Sequence, residues 1–317
     1  MDVVTLGETM VLFTPETQGY MRHAEKYSSS IAGAESNFAI GLSRLGHKVS
    51  WSSRLGNDEL GKKILSFVRG EGVDTSQVEL VSDSFTGLYF KEKLTEEETQ
   101  VYYYRKNSAA SYMTPSHLDE EKISQAKYLY LTGITPALSE SCYQTVKQAI
   151  NIAKKHNVFV VFDPNLRKKL WAEERAREVL LELISQVDIV LPGIEEAKFL
   201  FDIETPEEIA EHFYRLGPSL TILKLGARGA YYYSKKESGY VSGPQVDRVV
   251  DPVGAGDGFA AGVVSGLIES LSIEQAVKKG AYIGALVTQV NGDVEGLPEK
   301  KRLEAYMSEK NTEDVNR

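Results

Sequence analysis

The sequence is nearly devoid of cysteine and poor in histidine, and both scarcities limit its chemistry. A single cysteine, Cys142, excludes a disulfide within the chain. The histidines are scattered without the spacing of a metal-binding motif, so no zinc site is expected. They are His23, His47, His117, His156 and His212.

Long hydrophobic runs are also missing. No segment approaches the roughly 20 apolar residues that cross a bilayer. The first residues, MDVVTLGETMVLF, carry no basic region ahead of their apolar stretch. We therefore expect no contact with a membrane and, as the default location, the reducing cytoplasm.

Positive charge is in deficit. The chain has 36 basic against 45 acidic residues, a formal net charge of −9, which disfavours binding to nucleic acid or an anionic membrane surface. An anionic ligand would need a local pocket. At 317 residues, 42% of them hydrophobic, the chain can form a sizeable core, and we expect a single domain over residues 1–317.

The pattern of hydrophobic residues predicts an α/β fold. Short apolar runs typical of buried strands alternate with helical periodicity at 141–156 and 173–186, which is the pattern of a doubly wound, mainly parallel sheet covered by helices. Ligands of such sheets bind at the carboxyl ends of the strands. The predicted strands are 3–7, 128–132, 158–163, 188–191 and 220–225.

One region departs from this alternation. The segments TGLYFKEK and QVYYYRKN flank the acidic turn LTEEET without a helix between them, which predicts an antiparallel hairpin. With the extended early segment it would form a small β lid from about 8–30 and 85–107. Alternation places Val101, Tyr103 and Arg105 on one face of the hairpin and Tyr102 and Tyr104 on the other.

The run DPVGAGDGF at 251–259 is the most informative motif. Its glycines allow successive N–H groups to face a ligand at the start of a helix, an arrangement that binds anions. Asp257 lies at the mouth, where we expect the helix field to keep it ionised and able to accept a proton. A tight turn with Asp257 as a helix cap is the structural alternative.

Two other glycine patterns match known binding motifs only in part, and we interpret neither as a binding site. Gly256-x-Gly258-x-x-Ala261 fits a degenerate dinucleotide fingerprint, but it does not follow the first strand. The segment GNDELGKK at 56–63 resembles a phosphate-binding loop, but Lys63 replaces the required Ser or Thr and two acids lie inside it.

Five motifs in register resemble the ribokinase-like (phosphofructokinase B) family of carbohydrate kinases. They are AGAESN at 32–37, RLGNDELG at 54–61, DPNLR at 163–167, KLGARGA at 224–230 and DPVGAGDGFAAG at 251–262. The resemblance covers nearly the whole chain and implies an α/β body with a β lid. It also implies ATP as phosphoryl donor, with Mg²⁺.

The resemblance assigns roles residue by residue. Asp257 would be the catalytic base, with Gly254, Ala255 and Gly256 as oxyanion donors. The nucleotide would lie against Asn165, Arg167, Lys224, Gly226, Gly229, Gly254 and Gly256. The sugar would face Gly33, Ala34 and Asn37. The family's metal motif is commonly Asn-x-x-Glu, whereas this chain has Gly193-Ile-Glu-Glu196, so Glu196 would hold Mg²⁺ only through water; a solvated helix start is its alternative.

The substrate must be inferred from less shared residues. Arg105 and Arg167 together could clamp a carboxylate, since a guanidinium offers paired donors, although either arginine alone would be an ordinary surface residue. The segments FTGLYF, YYYRKNSAAS, LTGITPAL and GDVEGLP resemble the members of this family that phosphorylate 2-keto-3-deoxygluconate. That resemblance adds Tyr89, Tyr103 and Asp293 as substrate contacts. Without the resemblance, Asp293 would be interpreted as a turn residue.

Two rival functions remain open from the sequence. One is a kinase of the same family for fructose or another sugar or sugar acid. The other is a catalytically silent sugar- or nucleotide-binding regulator, against which the retained glycines and Asp257 argue. The aromatic outer face of the lid predicts a homodimer through the lids, or a higher homo-oligomer.

Overall fold

The computed structural model describes the backbone of residues 1–95 and 98–315 and the side chains up to residue 309, apart from residues 96 and 97. Its strands are β1 (Val3–Leu6), β2 (Met10–Pro15), β3 (Tyr27–Ala32), β4 (Val49–Gly56), β5 (Val78–Val81), β6 (Leu88–Lys93), β7 (Thr99–Tyr104), β8 (Tyr128–Thr132), β9 (Phe159–Asp163), β10 (Ile189–Val190), β11 (Leu220–Lys224), β12 (Ala230–Ser234) and β13 (Ser238–Val241).

Most of the helices lie between these strands along the sequence. They are α1 (Ala34–Arg44), α2 (Glu59–Gly70), α3 (Glu120–Ser124), α4 (Ile134–Leu138), α5 (Glu140–Lys155), α6 (Glu173–Ile184), α7 (Ile194–Phe201), α8 (Pro206–Leu216), α9 (Ala255–Ile268), α10 (Ile273–Val287) and α11 (Lys300–Val315). No helix of the described residues is long and apolar enough to cross a membrane.

The large sheet has the strand order β13-β12-β11-β10-β9-β8-β1-β4-β5. Its pairs are parallel except β11 with β12 and β12 with β13. Alternate side chains of β1 enter two separate cores: Val3 packs in a cluster with Trp51, and Val4 packs in one with Phe162. Helices therefore cover both faces, and the predicted doubly wound sheet is confirmed.

The small sheet, in the order β3-β2-β6-β7, lies apart from the large one. The predicted hairpin is β6 and β7, which pair from Leu88 with Tyr104 to Lys93 with Thr99; residues 96 and 97 of its acidic turn lie outside the described residues. The early segment is not continuously extended, because a 3-10 turn at Met21–His23 separates β2 from β3. The central pair, β2 with β6, is parallel.

The two faces of β7 differ as the alternation predicts. Val101 packs with the apolar side chains of Met10, Leu12 and Tyr89 on the face that lines a cavity. On the other face, Tyr104 is 55% exposed and its ring meets Phe90 edge to face.

The two partial glycine motifs, at 56–63 and 256–261, both have structural roles. Asp58 caps α2 by accepting a hydrogen bond from the amide of Gly61 at 2.7 Å, while Lys63 donates to Ser29 of the small sheet. In α9, a Cβ on Gly258 would lie 3.0 Å from Val287. The glycines of these motifs therefore permit a helix start and close packing.

Gly262 sets the distance between α9 and α10. A Cβ at this position would lie 2.6 Å from the Cα of Gly280, and other backbone atoms of α10 follow within 3 Å. Backbone cannot move aside as the end of a flexible side chain can, so the two helices need glycine here.

We expect Gly262→Ala to lower the free energy of unfolding by about 1–3 kcal/mol, because overpacking outweighs the better helix propensity of alanine. Urea unfolding followed by circular dichroism measures this. Gly70→Ala is the matched control, since Gly70 is also helical but has open space around it. Equal stability of the two variants would contradict the packing argument.

Candidate active site

A cavity of about 400 Å³ lies at the carboxyl ends of the large sheet's strands, facing the small sheet. Asp163 ends β9 and Lys224 ends β11, whereas Tyr89 and Tyr103 come from the small sheet. Most of the residues predicted from the sequence meet here. They are Gly33, Ala34, Asn37, Tyr89, Tyr103, Arg105, Asn165, Arg167, Glu196, Lys224, Gly254, Gly256, Asp257 and Asp293.

The N-terminus of α9 opens into this cavity. Gly254 is its N-cap with φ of +79°, and a Cβ there would lie 2.4 Å from the carbonyl oxygen of Asp293, so glycine is required twice over. The first-turn amides of Gly256 and Asp257 have no intrahelical acceptor. Ala255 donates to the carbonyl of Pro252 at 3.3 Å and does not line the cavity.

Asp257 is buried in the first turn of α9. Burial raises the pKa of this carboxyl to about 7, although a hydrogen bond from Asn37 acts in the opposite direction. The expectation that the helix field dominates is wrong, because removal from water is the larger effect. A carboxyl with this pKa can accept a proton near neutral pH and release it again.

Asn37 joins Asp257 to a second buried acid. Its Nδ2 donates to Asp257 Oδ2 at 2.8 Å and reaches Asp293 Oδ2 at 3.4 Å. Burial also raises the pKa of Asp293, to about 6. Asp293 is therefore part of the cavity wall and is not an exposed turn residue. The three side chains come from segments far apart in the sequence.

Lys224 places a positive charge beside α9. Its Nζ donates to Asp163 Oδ2 at 2.6 Å and would lie 3.9 Å from a Cβ on Gly256. Burial lowers the pKa of the ammonium, but the carboxylates of Asp163 and Glu196 outweigh it, so the pKa is raised. A charged lysine and free helix amides together suit a phosphate group.

Glu196 ties two loops at this edge of the sheet. Its Oε2 accepts a hydrogen bond from the amide of Gly193 at 2.6 Å, and its Oε1 accepts one from Leu166 at 2.9 Å. Glu195 is exposed, as the solvated alternative expects, whereas Glu196 is half-buried and completes a capping box at the start of α7. Glu196 fixes the loop that carries Asn165 and Arg167.

These acids form a sparse donor set for a metal. The described residues contain no group of three His, Cys, Asp or Glu side chains that could hold an ion. Asp163 and Glu196 line the cavity, however, and Mg²⁺ commonly takes one or two carboxylates with waters and substrate phosphates. The residues therefore fit a magnesium ion that is held mainly by a nucleotide.

The small-sheet side of the cavity is aromatic and basic. The rings of Tyr89 and Tyr103 are 5.3 Å apart, and the Arg105 guanidinium carbon lies 5.7 Å from the Tyr103 ring centre. Burial raises the pKa of Tyr89, so its hydroxyl stays protonated and can donate. Arg105 is buried, and its Nε donates to Glu8 Oε2 at 2.7 Å.

Arg167 differs from Arg105 in its surroundings. It is exposed at the cavity rim and makes no hydrogen bond or ion pair with the described side chains. Its charge nevertheless acts on Asp257, whose pKa it lowers slightly against the larger effect of burial. The two arginines thus line one cavity. Arg105 is held by Glu8, whereas the guanidinium of Arg167 is free to bind a ligand.

Gly226 and Gly229 do not line this cavity. Both have positive φ, and a Cβ on Gly229 would meet the carbonyl of Val241. They form the turn between β11 and β12, where Leu225 donates to the carbonyl of Gly229. Their predicted contact with a nucleotide stays a prediction.

Two acidic residues of the cavity were missed from the sequence, Glu8 and Asp163. Glu8 directly follows the first predicted strand, 3–7, and Asp163 is the last residue of its strand. The signal that could have found them is their position, since the carboxyl ends of parallel strands meet at one edge.

A doubly wound sheet, a covering small sheet and an anion-binding helix start beside a buried carboxyl define a phosphoryl-transferring α/β protein. The model of the pfkB family carbohydrate kinases matches residues 1–300. The chain belongs to that family.

Individual relatives agree over almost the full length. A 2-dehydro-3-deoxygluconokinase of Bacillus subtilis is 41% identical, covering 98% of this chain and 97% of that one. A PfkB protein from Polaromonas sp. JS666 has a TM-score of 0.88 and 43% identity, covering 96% and 99%. A putative ribokinase II from E. coli, solved with ATP and Mg²⁺, has a TM-score of 0.89 and 26% identity, covering 97% and 99%.

The raised pKa of Asp257 has a consequence for stability. Between its ordinary pKa near 3.8 and the folded value near 7, the folded state holds more protons than the unfolded state, so the unfolding free energy falls as pH rises. We expect Asp257→Asn to stabilise the protein at pH 8 by roughly 2–4 kcal/mol and to have little effect at pH 4, as measured by urea unfolding.

The new amide oxygen would still accept the hydrogen bond from Asn37, which makes the Asp257→Asn substitution nearly isosteric. Asp83→Asn is the control, because Asp83 is exposed. A stability difference between the Asp257 variant and wild type that is the same at both pH values would contradict the burial argument.

Proposed function

We propose that this kinase transfers the γ-phosphoryl group of ATP to the C6 hydroxyl of 2-keto-3-deoxygluconate, giving 2-keto-3-deoxy-6-phosphogluconate. The observation that carries the proposal is that Arg105 of the small sheet and Asp257 of α9 line the same cavity. The similarity to the Bacillus subtilis enzyme supports the same substrate.

The acid end of the substrate would meet the arginines. A carboxylate needs donors with paired geometry, which a guanidinium supplies. Arg105 would contact it from the fixed side and Arg167 from the rim, with the hydroxyls of Tyr89 and Tyr103 donating to its oxygens. Gly33 and Ala34 would lie against the sugar backbone, and Asn37 and Asp293 would bind its hydroxyls.

The reacting end would lie at α9. Asp257 would accept the proton of the C6 hydroxyl as its oxygen bonds to the γ-phosphorus, and ADP would leave with the bridging oxygen. The amides of Gly254, Ala255 and Gly256 are the proposed donors to the charge on the transferring group. Of these, the amide of Gly256 faces the cavity without an intrahelical partner.

The nucleotide would lie on the opposite side, along the β11 end. Lys224 and Asn165 would contact its phosphates, and Gly226 and Gly229 its remaining part. Magnesium would supply neutralisation of phosphate charge, held by Glu196 through water and by Asp163. The likeness to the E. coli protein solved with ATP and Mg²⁺ supports both ligands.

The two rival functions make different demands on this cavity. Fructose carries no carboxylate, so a fructokinase would not need a buried arginine such as Arg105 to bind its substrate. A silent binder needs no titratable carboxyl at the helix start, yet burial raises the pKa of Asp257 to about 7. The buried arginine favours a ketoacid over fructose as substrate, and the raised pKa of Asp257 favours a kinase over a silent binder.

The test is a substrate screen with ATP, in which ADP release is measured for 2-keto-3-deoxygluconate, its C4 epimer, fructose and ribose. We expect the ketoacid to have the highest kcat/KM. For Arg105→Ala we expect KM for the ketoacid to rise roughly 10–150-fold, equivalent to about 1.5–3 kcal/mol for a lost charge-assisted bond.

Asp257→Asn is the blank for this screen, because loss of the base should reduce kcat by orders of magnitude while ATP still binds. The KM for ATP of Arg105→Ala checks that the variant is folded. Faster turnover of fructose or ribose than of the ketoacid would refute the carboxylate clamp, and so would an unchanged KM in the variant.

We infer further that the chain is a single domain with the small sheet as its lid, and that two copies associate through their lids in the cytoplasm. The outer face of the small sheet carries Tyr27, Tyr102 and Tyr104, each at least 36% exposed, beside Phe90. An aromatic surface of this kind commonly marks an interface.

We expect a dimer, or a higher oligomer built from it, in sedimentation at micromolar concentration. Tyr104→Lys should shift it towards monomer, because a charge would be buried in the interface. Tyr240→Lys is the matched control, since Tyr240 is equally exposed, at 55%, on the large sheet. A monomeric wild-type protein would count against the proposal.

A further inference from the structure

Glu8 is a buried acid that none of the proposed chemistry uses. It is 3% exposed and lines the cavity. Both of its carboxylate oxygens are engaged: Oε2 accepts from Arg105 Nε at 2.7 Å and Nη2 at 2.5 Å, and Oε1 accepts from the Ser108 hydroxyl at 2.5 Å. Three of the roughly four acceptor sites of this carboxylate are therefore already occupied by the protein's own donors.

Glu8 also lies where the chain passes between the large sheet and the small one. Residues 7–9 join β1 to β2, and residues 105–108 leave β7. The other two crossings run close to it: a Cβ on Gly33 would lie 2.6 Å from the Glu8 carbonyl oxygen, and one on Gly87 would lie 2.8 Å from Oε1. All four crossings therefore meet around this residue.

The contact between Glu8 and Arg105 determines which edge of the guanidinium a ligand can reach. Two of its N–H groups point to a single Glu8 oxygen, so the guanidinium can present only Nη1 and the outer hydrogen of Nη2 to the cavity. A long side chain that ends a strand would otherwise sample several rotamers, and fixing it beforehand reduces the entropy lost on binding.

We propose that Glu8 is a positioning residue that makes the pocket selective for a ligand with a carboxylate end, by holding Arg105 in one orientation. The inference rests on the proposed ketoacid function. Glu8 acts on Arg105 and does not touch the ligand, so its loss should change recognition of the acid and leave the nucleotide side as it is.

The test compares two substitutions. Glu8→Asp shortens the side chain by one methylene and withdraws the acceptor from Arg105, and we expect KM for 2-keto-3-deoxygluconate to rise at least tenfold with kcat and KM for ATP within twofold of wild type. Glu8→Gln keeps the length and an acceptor oxygen, and we expect its KM for the ketoacid to stay within fivefold.

The control is Glu92→Asp, the same shortening of another buried acid in the small sheet. Glu92 is also 3% exposed, but it accepts from Tyr102 and the amide of Met21 and does not line the cavity. Its KM values should be those of wild type. In an Arg105→Ala background, Glu8→Asp should add less than a twofold change, because the group that it positions is gone.

Three results would overturn the inference: a ketoacid KM in Glu8→Asp that does not rise, an equal rise in KM for ATP, or a Glu8→Gln variant as impaired as Glu8→Asp. The comparison of the Asp and Gln variants stands even if the double variant does not fold. Failure of wild type to phosphorylate the ketoacid would instead refute the proposed function, so the two failures are distinguishable.

Discussion

The site depends on the burial of one carboxyl, Asp257, at the start of α9. Burial raises the pKa of this carboxyl, and the hydrogen bond from Asn37 and the charge of Arg167 act against that effect. The balance leaves a pKa near neutrality. Much of the surrounding structure follows from this arrangement, since Gly254 must adopt a left-handed conformation to place Asp257 in the first turn and to let the Asp293 backbone pass.

The other buried charges of the cavity are compensated in contact. In the cavity wall Arg105 pairs with Glu8 and Lys224 with Asp163, and outside it Lys91 pairs with Asp251. Within the part of the chain that the structure describes, the carboxyls of Asp257 and Asp293 share the side-chain amide of Asn37 as a hydrogen-bond donor and contact no cation. Charge pairs are costly to bury and hold their partners in fixed geometry, whereas an unpaired carboxyl is free to gain and lose a proton. The pairs thus position groups, whereas Asp257 is left able to exchange a proton.

What the sequence predicts well is local. The turn and helix of 251–268 follow from glycine chemistry, and the two faces of β7 follow from a period of two. The pKa of Asp257 could not be foreseen in this way, because its partner Asn37 is 220 residues away and burial is a property of the folded chain. Glu8 shows the same limit, since its role depends on Arg105, 97 residues later. For the glycines of KLGARGA the structure shows a local role, the turn between β11 and β12, and their contact with a nucleotide stays a prediction.

Two ion pairs are among the contacts between the small sheet and the body, one at the Glu8 end of β7 and one farther along β6. At the Glu8 end, covalent crossings and a fully buried ion pair meet, so this end cannot separate without leaving charges unpaired away from water. At the other end, Lys91 of β6 reaches Asp251, the residue that precedes the anion-binding turn, at 2.5 Å. The side chains of Lys91 and Asp251 are 12% and 8% exposed, so this pair is nearly as buried as that of Arg105 with Glu8 and is also costly to separate. Both pairs hold the small sheet over the cavity, and they differ in that only the Glu8 pair lies among the covalent crossings.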